Sequence, residues 1–194
     1  MNMKYKYLLL IPALMMTACS GDAKFSKPKG LSYIAEAPIR LNVDQIEVVK
    51  TYKSSKAAPH VEHNLAVPPM VLVQQWVQDR LMPVGKAGRA VVTVQDASII
   101  EVPLERTKGF KSIYTIDQTH RYDAKVVVKV EIFDESGQKR GFTEARASGS
   151  QTVTENMTLS QKRQAWTALV ENMMNSLDRE LEGKMRDHLE PFIR

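Results

Sequence analysis

Residues 122–153 read YDAKVVVKVEIFDESGQKRGFTEARASGSQTV, and their alternation decides the fold. Tyr122, Ala124, Val126, Val128, Val130 and Ile132 fall on one face of an extended chain. Asp123, Lys125, Lys129 and Glu131 fall on the other, with Val127 among them. A period of two with one apolar face is the pattern of a half-buried antiparallel strand. DESGQK, residues 134–139, supplies a turn with Gly137, and Gly141 to Val153 returns as the partner strand. One face of that partner carries Thr143, Ala145, Ala147 and Gly149. Side chains so small cannot fill a core, so a bulky element must approach them closely.

The candidate for that element follows in the chain. Thr158-Leu159-Ser160-Gln161 matches a capping box. Beyond it Trp166, Leu169, Val170, Met173, Leu177, Leu181, Met185 and Leu189 recur at helical spacing. Trp166 and Met173 are expected to dock on the small row. A helix of about 30 residues would be roughly 45 Å long, so two outcomes are open. Its far end overhangs the sheet as a contact surface, or it bends or breaks at Gly183 and stays within its own domain.

Upstream, Leu41 to Tyr52 reads as a strand whose two registers (Leu41 and Val43, then Ile46 and Val48) need a bulge near Asp44-Gln45. Pro68-Pro69 opens a helix with Val73, Trp76, Val77 and Leu81 on one face, and Pro83 and Gly85 stop it. Gly88 to Leu104 is a further strand, interrupted between Asp96 and Ser98. The segments 53–67 and 105–121 show no period and are expected as long loops. The order strand, helix, strand, strand, strand, helix predicts an α+β two-layer sandwich. Two helices would lie on one face of a mainly antiparallel four-stranded sheet.

The amino terminus raises a separate question. Lys4 and Lys6 precede an apolar run from Leu8 to Met16, about half the length needed to span a bilayer. Thr17 and Ala18 follow, and then Cys19, the single cysteine of the 194 residues. Met16-Thr17-Ala18-Cys19 resembles a bacterial lipobox, which implies cleavage before Cys19 and acylation of its sulfur. Residues 1–18 are then a lipoprotein signal peptide, 19–38 a flexible tether rich in small and helix-breaking residues, and 39–194 one domain of about 155 residues. Ser20, where enteric lipoproteins retained in the inner membrane carry Asp, implies the inner leaflet of the outer membrane, facing the periplasm.

The charge balance, 27 basic against 22 acidic residues, is mild, and no basic stripe with interleaved aromatics points to nucleic acid. His60-Val61-Glu62-His63 has two imidazoles at ligand-like spacing, yet a zinc site needs a third protein ligand and an orienting shell. It is read as a solvated loop, with no metal and no cofactor. ASGSQ, residues 147–151, lacks the G-x-S-x-G nucleophile elbow. GKAGR, residues 85–89, precedes a strand and is no phosphate loop. No catalytic residue is expected.

MTACSG together with QQWVQDRLMPVGKAGRAVVTVQDASII and residues 122–153 resembles an alphaproteobacterial envelope lipoprotein family with no assigned activity. The plan is similar to YajG-like lipoproteins and to the auxiliary lipoproteins of ABC-type lipid transport. The sequence is read as an anchored binding domain whose partner would be an envelope protein complex or a lipid-handling machine, and the resemblance carries no catalytic residues over. Candidate contact residues are Phe110, Ile113 and Tyr114 in the long loop, with Met185, Leu189 and Phe192 at the end of the last helix. Two rivals stay open. One is a small-ligand or lipid carrier with a cavity between helices and sheet; the other is an enzyme gathering His63, His120 and a carboxylate. The sequence leaves the oligomeric state open.

Overall fold

The computed structural model describes residues 29–104 and 118–194. Its centre is a four-stranded sheet in which β2 (Gln45–Lys50), β4 (Arg89–Pro103), β5 (Gln118–Phe133) and β6 (Lys139–Thr154) lie in that order. The pairs β4–β5 and β5–β6 are antiparallel, whereas β2 joins β4 in parallel. Helices α1 (Pro69–Arg80) and α2 (Leu159–His188) cover one face, giving the expected α+β two-layer arrangement. A second, two-stranded parallel sheet pairs β1 (Ile39–Leu41) with β3 (Leu81–Pro83).

The β5–β6 hairpin follows the alternation of its residues. Val126 stands opposite Ala147 and Val128 opposite Ala145, and all four are buried. The turn closes on Asp134, whose Oδ1 accepts hydrogen bonds from the Ser136 and Gln138 amides at 3.0 and 2.9 Å. Gly137 takes φ +80°, a left-handed geometry that costs glycine little.

In β4 the register slips between Val94 and Asp96, next to the predicted interruption. The extra residue, Gln95, switches the parity of the strand. Ala90, Val92 and Val94 face the helices before it, and Ala97 and Ile99 after it. Ile100 pairs with Asp123 and so lies on the far face with Val102. That open face is laced with ion pairs, among them Lys125–Asp96 at 3.0 Å and Lys129–Glu131 at 2.9 Å.

The expected single strand over 41–52 divides between the two sheets. Leu41 pairs with Pro83, while Ile46 pairs with Ala90. Changing sheets resolves the two apolar registers without a bulge. The crossing is tight: a Cβ on Gly85 would stand 2.5 Å from the Val43 amide nitrogen.

Helix α2 runs unbroken from its Thr158–Gln161 capping box through Gly183. Its length of roughly 45 Å is matched by 16-residue strands that span about 53 Å. The stripe therefore finds sheet or chain beneath it to the end, and Met185 and Leu189 are fully buried. Their proposed role as an overhanging partner surface is corrected: they belong to the core. Phe192 is half-buried and packs against the same core.

The flexible tether also needs correction at its far end. Leu31 and Tyr33 are buried, and Gly30 and Ser32 donate their amides to Glu171 and Asn175 of α2 at 2.8 and 2.9 Å. Residues 30–37 are thus docked on the domain. Leu31 and Tyr33, with these hydrogen bonds, hold a segment whose small and polar residues suggested a linker.

Candidate functional site

Cys19, Phe110, Ile113 and Tyr114 lie outside the described residues. Among the described residues, polar side chains gather at three places, each built by particular elements.

The first joins α1 and α2. Arg80, the last residue of α1, is 1% exposed, and its Nε donates to Asp178 Oδ1 at 2.8 Å. The Trp76 indole donates to the same oxygen at 2.8 Å. The guanidinium also reaches Glu182 Oε2 at 2.5 Å and the Ala37 carbonyl. A buried cation with two carboxylates and a carbonyl around it is satisfied, so this cluster holds the 30–37 segment and both helices together.

The second caps the edge of β4 beyond the end of β2. The His60–Val61 backbone pairs there: Val61 donates to the Ile99 carbonyl at 2.9 Å, and the Glu101 amide donates to Pro59. Glu62, 3% exposed, accepts from the Ile99 amide at 3.2 Å and from the Tyr52 hydroxyl at 2.5 Å. Burial pushes its carboxyl up, but hydrogen bonds from Ser54, Tyr52 and backbone amides outweigh that and hold it below its ordinary value. The Tyr52 hydroxyl is pushed well above the usual tyrosine range, first by burial and then by this carboxylate. His60 Nδ1 lies 3.6 Å from Glu62 Oε1, and His120 Nε2 lies 3.9 Å from Glu101 Oε1. His60 and His120 therefore sit with two different carboxylates, and His63, the histidine of the enzyme reading, is exposed. The loop expected to be solvated is here a plug for the sheet edge.

The third is a groove of about 590 Å³ between the start of β6 and the end of α2. Lys139, Arg140, Phe142, Thr143, Lys184 and His188 line it. Gly141 lets the end of α2 pack closely on β6, since a Cβ there would stand 2.9 Å from Leu189 Cδ2. Lys184 Nζ donates to the Glu144 carbonyl at 2.9 Å, and the Arg146 amide donates to Glu180 at 3.5 Å. Side chains of α2 thereby cover the outer edge of β6 at residues 144 and 146, where unpaired backbone would invite another strand. Phe142, short of that cover, is 58% exposed.

The space that a carrier would need between helices and sheet is occupied by side chains. Met173, Met174 and Leu177 are fully buried there, and Leu169 Cδ1 lies 3.1 Å from where a Gly149 Cβ would be. Trp166 is only partly buried and meets Tyr122 edge-on, with ring centroids 5.2 Å apart at 80°.

Sequence reasoning missed Arg80, Asp178 and the groove cations. Asp178 carries the one available signal, because it stands four residues after Met174 and eight after Val170 on the buried face. A carboxylate at such a position requires a buried cation from elsewhere in the chain.

Neither a protein-family model nor a characterised protein matches the chain. Solved structures overlap it in part. A lipoprotein from Caulobacter crescentus does so with a TM-score of 0.43 at 12% identity, over 73% of this chain and 88% of that one. Rare lipoprotein B from Shewanella oneidensis gives 0.38 at 11%, over 72% and 92%. A minor lipoprotein from Acinetobacter baumannii gives 0.36 at 11%, over 75% and 91%.

Proposed function

We propose that the chain is a lipid-anchored envelope protein whose domain acts by binding at the membrane surface. The observation that carries this reading is the position of the single cysteine, directly behind the apolar run 8–16 and the small pair Thr17-Ala18. A thiol there can form the thioether that an acyl anchor requires. One chain binds a bilayer only marginally, so diacylglycerol plus an amide-linked acyl group would make attachment lasting. Confinement to a thin layer raises the domain's effective concentration near membrane partners, which is how the anchor contributes to binding.

The leaflet proposed is the inner one of the outer membrane, from Ser20 in the position after the cysteine. The partner proposed is an envelope protein complex, and the domain is proposed to act without catalysis. Docking of 30–37 on α2 shortens the expected 19–38 tether at its far end.

The test is mass spectrometry of the processed protein with palmitate labelling, alongside Cys19→Ala and density-gradient separation of the two membranes. A diacylglyceryl amino-terminal cysteine in the outer-membrane fraction, lost in Cys19→Ala, is expected. An unmodified amino end, or one beginning after Cys19, would sink the reading.

A further inference from the structure

We propose that the groove between β6 and α2 binds a phosphate group, carried by a lipid headgroup or by a soluble phosphoester. This goes beyond the anchoring reading and stands without it, since the groove belongs to the folded domain.

The walls of the groove are rich in donors. Lys139, Arg140, Lys184 and His188 line it with the carboxylate of Glu144, while Glu131, Asp134 and Glu180 stand beside three of these cations from outside the lining. The Glu144 carboxylate is turned to Arg146, which grips it at 2.7 and 3.0 Å. Donors remain to spare on the cations. Arg140 comes no nearer than 3.8 Å to Asp134, whose other oxygen already takes the turn amides, and a guanidinium has five N–H groups. Lys184 commits two contacts, to Glu180 at 2.8 Å and to the Glu144 carbonyl, out of three ammonium hydrogens. Lys139 stands 3.3 Å from Glu131 and 5.5 Å above the Phe142 ring.

A second observation is independent of charge. Thr143 lines this groove and is 3% exposed, and its buried Oγ1 finds no hydrogen-bond partner among the described residues. A buried hydroxyl without a partner is unfavourable, and a bound oxyanion would supply one. The end of α2 opposes an anion with about half a negative charge, which is less than Arg140 and Lys184 provide. Phosphate fits better than an added peptide strand. The register slips opposite Arg140, and Lys184 covers the edge at Glu144, leaving little free backbone between them.

The experiment follows amide resonances of the full chain in neutral maltoside micelles. The probes are inorganic phosphate, short-chain phosphatidic acid below its micelle concentration, and short-chain phosphatidylcholine. Saturable shifts at residues 140–144 and 184–188 are expected with phosphate or phosphatidic acid. Saturation by phosphate assigns a soluble phosphoester, and saturation by phosphatidic acid alone assigns a headgroup. Arg140→Gln, at an exposed site, should weaken binding about tenfold, in line with loss of a charge-assisted contact. Thr143→Val should weaken it while leaving thermal stability unchanged or raised. Equal shifts from chloride or a poly-glutamate peptide, no saturable shift with either phosphate probe, or wild-type affinity in Arg140→Gln would each overturn the assignment.

Discussion

Arg80 and Asp178 form an ion pair at 2.8 Å with side chains only 1% and 6% exposed, and the Trp76 indole shares the same carboxylate oxygen. Removing Asp178 leaves the buried Arg80 with Glu182 alone and strips the Trp76 indole of its acceptor. Asp178→Ala should therefore cost about 3–5 kcal/mol. Arg80→Met with Asp178→Leu should cost far less than the two single changes summed, because the double variant strands no charge. Urea denaturation of the four proteins in the cycle measures the coupling. Loss of Arg80 also frees the Ala37 carbonyl, so limited proteolysis should cut residues 30–37 faster in Arg80→Met. Additive single changes would show that the pair contributes no coupling.

Two glycines separate backbone necessity from chance. A Cβ on Gly85 would meet the Val43 nitrogen at 2.5 Å and the Asn42 carbonyl carbon at 2.6 Å, and backbone cannot move aside cheaply. Gly85→Ala should destabilise by about 2 kcal/mol or more, within the range for overpacking. A Cβ on Gly183, inside α2, meets nothing within 4 Å. Gly183→Ala should stabilise by about 0.5–1 kcal/mol through helix propensity. Denaturation midpoints moving in opposite directions would confirm both.

The small row of β6 shows how far alternation and helical spacing carry. Both predict that α2 docks on Ala145, Ala147 and Gly149, and residue Met173 is indeed buried at 1% exposure. They also put Trp166 on that row, and there the structure corrects them. Leu169 fills the space above Gly149, and Trp166 instead stacks edge-on with Tyr122 at the rim. Position along a helix fixes a face, while the sheet's twist and the helix tilt decide which turn meets which strand. Met173→Ala should accordingly cost about 2–5 kcal/mol. Trp166→Ala should cost less than Met173→Ala, and the reverse order in thermal melts would contradict the packing.

The polar sites were far less legible, for a reason visible in their spacing. Arg80 and Asp178 are 98 residues apart, and Lys139 and Lys184 meet across the β6–α2 contact. No local period encodes such meetings. The division of 41–52 between two sheets was hidden likewise, because β1 depends on β3, about forty residues later. The docked segment 30–37 looked like a linker since its anchors, Glu171 and Asn175, are polar groups of a distant helix. Local chemistry such as the Thr158–Gln161 capping box and the Asp134 turn was readable because every partner lies within four residues.

Glu62 gives the domain a pH-dependent joint. Burial raises its carboxyl pKa, yet the hydrogen bonds from Ser54, Tyr52 and backbone amides leave it below the ordinary value of 4.5. In the unfolded chain the carboxyl takes up its proton first as pH falls. Its contribution to stability is therefore complete above about pH 4.5 and is lost as pH drops through the lower, folded pKa. Glu62→Gln keeps the shape but removes the charge that accepts from Tyr52 and Ile99. The variant should lose stability at pH 7 and approach the parent near pH 3, where both carry a neutral group. His60, 3.6 Å away, is retained in both proteins. Urea midpoints at the two pH values measure the difference. A gap that stays constant, or widens in acid, would mean that the Glu62 charge does not hold the His60–Val61 backbone against β4.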